Sequence, residues 1–72
     1  MDKLTEDESK ALRKVGLSIH NAIRDSIRLP INSNTNLLKT VLNNAAFIVD
    51  EIFRLDDIIV CQEKELKEVN NH

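Results

Sequence analysis

Apolar side chains recur every three and four residues along the second half of the chain. With Leu38 at position a of a heptad, positions a and d continue to Val69 and are apolar at nine of ten places. We call these ten residues the seam: Leu38, Val41, Ala45, Ile48, Ile52, Leu55, Ile59, Gln62, Leu66 and Val69. A period of 3.5 residues sustained this long is typical of helices that pack knobs-into-holes. The pattern predicts one long helix over residues 36–69.

The same segment carries a second apolar line beside the seam, at positions e and b. We call it the e/b strip, and its members are Leu42, Ala46, Val49, Phe53 and Val60. Seam and strip together form an arc wider than contact with one helix requires, so we expect at least two neighbours. An alternative interpretation breaks the helix near Asn43-Asn44 or Asp56-Asp57, because Asn and Asp are indifferent helix formers. The unbroken heptad favours the continuous helix.

A shorter helix is predicted over residues 6–28. Thr5 and Glu8 have the spacing of a capping box, in which each side chain bonds the other residue's backbone N–H. The apolar stripe that follows is Leu12, Val15, Gly16, Ile19, Ala22, Ile23, Ser26 and Leu29. Pro30 disfavours helix for the residue before it, and residues 32–35 are all able to cap a new helix. The connection over residues 29–36 is short enough to predict an antiparallel or steeply crossed hairpin.

Seventy-two residues indicate one domain, residues 1–72, with a core that is marginal by itself. A single cysteine, Cys61, rules out an intrachain disulfide, which leaves oligomerisation as the stabilising device. We therefore predict an all-α fold in which two helical hairpins, partly coiled coil in character, form a homodimeric four-helix bundle. The predicted core and dimer interface consists of Leu38, Val41, Ala45, Ile48, Ile52, Leu55, Ile59 and Phe53 with Leu12, Val15, Ile19 and Ile23. Because the second helix is the longer, its end after Val60 is expected to overhang.

Charge is unevenly placed along the chain. Residues 9–30 hold five cations and one acid, a net charge of +4, whereas the whole chain has a net charge of −2. We call the five cations the basic strip: Lys10, Arg13, Lys14, Arg24 and Arg28. With Leu12 at position a, they occupy positions b, c and f of the first helix, and such a strip can neutralise phosphates. Nucleic-acid binding is therefore the alternative function to protein binding.

No residue set resembles a catalytic, cofactor or metal site. His20 and His72 have no other soft ligand at helical spacing, and Cys61 has no histidine near it in sequence to act as its base. We expect no enzyme and no cofactor, but a small regulatory or adaptor protein that binds itself and another protein. Its size suits accessory proteins of phages and plasmids. An acidic N-terminus without an apolar region and a lone cysteine predict a cytoplasmic protein without a membrane segment.

Overall fold

The chain folds into two helices. A computed structural model describes the backbone of residues 1–70 and the side chains of residues 1–67. Helix α1 spans Glu6–Ser26 and helix α2 spans Ser33–Asn70, and the described residues contain no strand. The prediction of an all-helical, two-helix chain is confirmed. Because α2 runs without interruption through Asn43-Asn44 and Asp56-Asp57, the alternative of three shorter helices is wrong.

Helix α1 begins at the predicted capping box. The Glu8 N–H donates to Thr5 Oγ1 over 3.1 Å, and the Thr5 N–H donates to Glu8 Oε1 over 3.1 Å. This pair satisfies two backbone donors that the first helical turn leaves without partners. The bond donated by the Thr5 backbone also lowers the pKa of the Glu8 carboxyl, since it favours the charged form.

Helix α1 ends two residues earlier than predicted. The N–H groups of Ile27, Arg28 and Leu29 donate to carbonyls three residues back, over 3.3, 3.2 and 3.2 Å. Bonds of this spacing tighten the last turn and satisfy carbonyls that the helix end leaves open. Pro30 lies just beyond this tightened turn, where it restricts Leu29 and has no N–H to continue the ladder.

Helix α2 begins three residues earlier than predicted, because the first of the candidate caps is the one used. Asn32 Oδ1 accepts from the Thr35 N–H over 3.0 Å, and the Asn32 N–H donates to Thr35 Oγ1 over 2.9 Å. The Asn36 N–H then donates to the Asn32 carbonyl over 2.9 Å, which is the first helical bond. The connection therefore occupies residues 27–32, not 29–36.

The two helices run antiparallel and meet along the e/b strip of α2. At the centre, Val49 is only 8% exposed. Gly16 of α1 lies so close that a Cβ added to it would be 3.3 Å from Val49 Cγ1. Nearer the connection, Ser26 is 4% exposed and its hydroxyl donates to the Ile23 carbonyl over 2.7 Å. Val49 and Ser26 are the two buried residues in the part of the chain with described side chains.

The N-terminal segment continues the hairpin beyond the start of α1. The Leu4 N–H donates to Asp56 Oδ1 over 2.8 Å, and Lys3 Nζ lies 3.7 Å from Glu63 Oε2. The expected overhang of α2 therefore begins after Glu63 and not directly after Val60. Residues 64–70, which we call the free end of α2, extend past the rest of a hairpin that measures 61 × 19 × 16 Å.

Candidate interaction surface

The seam lies at the edge of the contact between the helices and not at its centre. Its a positions Ala45, Ile52 and Ile59 are half-buried beside the e/b strip. Its d positions point further away, and Val41 and Ile48 are 55% and 57% exposed. Successive residues of a helix differ by about 100° in direction, which is why Ile48 is open although its neighbour Val49 is buried. The seam thus remains without a complete partner in the single hairpin.

Helix α1 adds apolar residues on the same side. In α1 the residues nearest α2 are at a and e, such as Leu12 and Ile23, and position d lies on one flank of them. Both helices are right-handed and run in opposite directions, so this flank and the seam of α2 fall on one side of the hairpin. It carries Val15, exposed, and Ala22, half-buried. We call this side the apolar face: Val15, Ala22, Leu38, Val41, Ala45, Ile48, Ile52, Leu55 and Ile59.

The predicted interface residues divide between two locations. Four of them lie half-buried between α1 and α2: Leu12, Ile19, Ile23 and Phe53. The other eight are on the apolar face: Val15, Leu38, Val41, Ala45, Ile48, Ile52, Leu55 and Ile59. Leu66 continues the seam on the free end and is 64% exposed, whereas the Val69 side chain lies outside the described residues. The hairpin itself therefore half-buries seven of the twelve predicted residues and leaves five exposed: Val15, Leu38, Val41, Ile48 and Leu55.

The hairpin exposes more surface than a compact chain of its mass. Its accessible area is 6115 Å², whereas folded monomers of 8.2 kDa expose about 4,500 Å². Its radius of gyration is 17.3 Å, against about 11 Å for a compact domain of 72 residues. The excess of roughly 1,600 Å² is larger than the roughly 800 Å² that one partner contributes to a standard protein interface.

The basic strip lies on the surface of α1, away from the apolar face. All five of its members are exposed. Lys10 Nζ lies 3.7 Å from Glu6 Oε1, and an Arg24 Nη2–H donates to Asn21 Oδ1 over 3.0 Å. Among the described residues, Arg13, Lys14 and Arg28 form no ion pair within 4.0 Å. The strip is therefore partly engaged at its first cation, Lys10, by an acid one helical turn earlier in the chain.

One long-range contact, made by Asp56, was not predicted from the sequence. Asp56 and Asp57 were both considered only as indifferent helix formers, but Asp56 is half-buried and accepts a hydrogen bond from the Leu4 N–H, which holds the N-terminal segment, whereas Asp57 is exposed. A signal was available, because Asp56 occupies the e position between Phe53 and Val60. A polar residue in an otherwise apolar line indicates a specific partner.

An acidic residue on α2 forms an ion pair within its own helix. The Arg54 Nε–H lies 3.1 Å from both carboxylate oxygens of Glu51, and a second guanidinium nitrogen also bonds Oε1. These hydrogen bonds hold the pKa of Glu51 below its usual value and raise the pKa of Arg54. Asp50, Glu51 and Asp57 all lie three or four residues from Arg54 in sequence, and Glu51 is the one to which Arg54 donates.

The cysteine and histidine residues considered as candidate reactive or metal-binding groups do not form a site in the described part of the chain. Cys61 is exposed on α2 and His20 is exposed on α1, while His72 lies outside the described residues. In the part of the chain that the structure describes, no three His, Cys, Asp or Glu side chains are grouped so that they could hold a metal ion. Neither helix, over its described residues, has the length and apolarity that crossing a bilayer requires.

Comparison with known proteins adds no relative. No protein-family model matches the chain, and neither a curated protein nor a solved structure matches it.

Proposed function

We propose that this chain is a small, non-enzymatic regulatory or adaptor protein that acts as a homodimer through its helices. Two hairpins stack their apolar faces across a two-fold axis, and the four helices enclose one core. The α2 seams provide the central contacts, and α1 covers the flanks.

The observation that supports this proposal is the exposure of the d positions of the seam. Val41, Ile48 and Leu55 are open in the single hairpin although they belong to an apolar repeat in register with half-buried neighbours. Monomeric soluble proteins rarely expose a contiguous apolar face of this extent. A second copy carries the same face and so supplies a self-complementary partner.

Adjacent residues on α2 provide a matched test. Ile48 lies on the apolar face and Phe47 lies off it, and in the single hairpin they are 57% and 69% exposed. Ile48→Glu and Phe47→Glu introduce the same charge into the same helical turn. In an isolated hairpin their effects should be similar, whereas in a dimer only Ile48→Glu places a charge in the interface.

Size-exclusion chromatography with light scattering measures the mass of the wild type and of each variant in solution. The wild type and Phe47→Glu should have twice the mass of the 8.2 kDa chain, and Ile48→Glu should have the mass of one chain. A wild type that remains monomeric at the highest measurable concentration would rule out the homodimer. Equal masses for the two variants would show that the apolar face is not the interface.

Binding of another protein is proposed to use the free end of α2. Leu66 is exposed there, and residues 64–70 have no α1 beside them. A chain that stops after Glu63 keeps the contact with Lys3 and removes the free end. It should remain dimeric and lose its partner in a pull-down from the native host. If it retains both its dimer and every partner, the free end is not the binding element.

A second candidate function is nucleic-acid binding through the basic strip. It is favoured by the exposure of all five cations in the single hairpin and by their position away from the apolar face. Binding should appear in a gel shift against RNA or DNA at low salt and should fall steeply as salt rises. Arg13→Glu/Lys14→Glu should abolish it. Absence of binding by the wild type at low salt excludes this function.

A further inference from the structure

Charge is distributed asymmetrically along the long axis of the hairpin. We call the part near the connection, residues 20–44, the loop end; it contains the cations Arg24, Arg28 and Lys39 and the single acid Asp25, a net charge of +2. The open end comprises residues 1–12 and 53–67. It contains five cations and eight acids, a net charge of −3. The middle, residues 13–19 and 45–52, has two cations and two acids and is neutral.

The fold creates this polarity by bringing distant segments together. Residues 1–12 lie beside residues 53–67 because the helices are antiparallel, as the contacts of Leu4 with Asp56 and of Lys3 with Glu63 show. The acids of the N-terminus, Asp2, Glu6, Asp7 and Glu8, therefore add to those of α2. Charges separated along the helices by tens of ångströms act largely independently, since the Debye length is about 8 Å at physiological salt.

From this charge distribution, and resting on the homodimer proposed above, we propose that the second copy binds antiparallel, with each acidic open end beside the basic loop end of its partner. A parallel dimer would place two acidic ends together and two basic ends together. The apolar repeat does not distinguish the two orientations, because an apolar seam can pack in either direction. The charged ends therefore select the orientation, as complementary charges do at other interfaces.

The antiparallel arrangement also decides what surrounds the free end of α2. With the two copies of α2 overlapping along their length, residues 64–70 of one lie beside the first two turns of α2 in the other, close to its connection. Leu66 then lies near the exposed apolar side chains of the partner's connection, where Ile31 is 83% exposed. A third protein that binds the free end would contact residues of both copies, so dimerisation would be required for its binding.

Distances between spin labels test the orientation. Asn34 is exposed in the first turn of α2, and its side chain forms no hydrogen bond with the described residues, so Asn34→Cys in a Cys61→Ser background gives one label per chain. Antiparallel copies place the two labels about 50 Å apart at 1.5 Å per residue, and parallel copies place them within roughly 25 Å. Asp50→Cys in the same background is the control, since residue 50 lies near the middle of α2 and gives a short distance in both orientations.

The outcomes separate this inference from the homodimer itself. A long distance at position 34 with a short one at position 50 supports the antiparallel dimer. Short distances at both positions would overturn it and leave the homodimer standing. If both the labelled chains and the unlabelled wild type have the mass of a monomer, both proposals are wrong.

Charge reversal tests whether the charged ends select the antiparallel orientation. In the antiparallel dimer, Arg24→Glu/Arg28→Glu makes both ends acidic and should weaken dimerisation at low salt by roughly threefold or more. Adding Glu63→Lys/Glu65→Lys to the same chain should restore it, because the ends become complementary again. If the first variant dimerises as tightly as the wild type, charge does not select the orientation.

Discussion

Two neighbouring residues of α2 have opposite environments although both are aliphatic and β-branched. Val49 belongs to the e/b strip, packs against Gly16 and is 8% exposed, whereas Ile48 belongs to the seam and is 57% exposed. The difference comes from direction, since consecutive helical residues point about 100° apart and α1 covers one direction only. It teaches that this chain folds with one apolar line of its long helix, the e/b strip, and leaves the other, the seam, largely uncovered in the single hairpin.

A charge placed in the e/b strip, which α1 covers, should have the largest effect on stability. Val49→Asp would bury a carboxylate without a partner where α1 and α2 are closest, and should cost about 3 kcal/mol or more of unfolding free energy. Circular dichroism at several protein concentrations should show reduced helix at all of them. Asp placed at the exposed Phe47 is the control and should leave the helical signal unchanged. Native-like helicity in Val49→Asp would show that the e/b strip is not the hairpin core.

Shortening an exposed side chain of the seam should reduce stability by an amount that depends on protein concentration. Ile48→Ala should cost about 2 kcal/mol when dimers predominate, because the side chain is then buried, and much less in dilute hairpins. Urea denaturation at two protein concentrations about a hundredfold apart measures the difference. A loss that is the same at both concentrations would remove the distinction between Ile48 and a residue of the hairpin core.

The close approach of the helices at Gly16 can be tested by replacing Gly16 with larger residues. Gly16→Leu should push α1 from Val49 and cost about 1–3 kcal/mol, the usual range for overpacking. Gly16→Ala should change stability by less than about 1 kcal/mol, because the gain in helix propensity offsets a Cβ contact of 3.3 Å. Denaturant midpoints compare the variants. A neutral Gly16→Leu would mean that the helices separate easily at this point.

The smallest effect is expected at the capping box, away from both apolar lines. Thr5→Ala should cost about 1 kcal/mol, a typical value for a lost N-cap. The pKa of Glu8 is lowered in the folded chain, so its contribution is present above the unfolded pKa near 4.5 and is lost as pH falls through the lower folded value. Glu8→Gln should reduce the acid dependence of stability in this range, as measured by thermal unfolding. An unchanged pH profile would show that the box does not contribute.

The local structure follows from local chemistry, which is why much of it could be predicted. The capping box at Thr5 and Glu8, the stop before Pro30 and the continuity of α2 depend on residues close together in sequence. The starting residue of α2 could not be predicted, because four consecutive residues can cap and only the hydrogen bonds between Asn32 and Thr35 distinguish them. The role of Asp56 depends on Leu4, a partner 52 residues away.

The interaction surface could be predicted only in part. Periodicity identified both apolar lines of α2 as an arc too wide for one neighbour. It could not say which line α1 would cover, because Val49 and Ile48 have equivalent propensity and similar apolarity.

The sequence by itself determined two helices, the capping box of α1 and an excess of apolar surface over what two helices can bury. Only the tertiary structure decided that α1 packs on the e/b strip, that the d positions of the seam remain open and that the acidic segments meet at one end. The physical reason is that helix formation and capping act between residues at most four apart. The choice between two apolar faces depends on contacts between residues far apart in sequence, such as Gly16 of α1 against Val49 of α2.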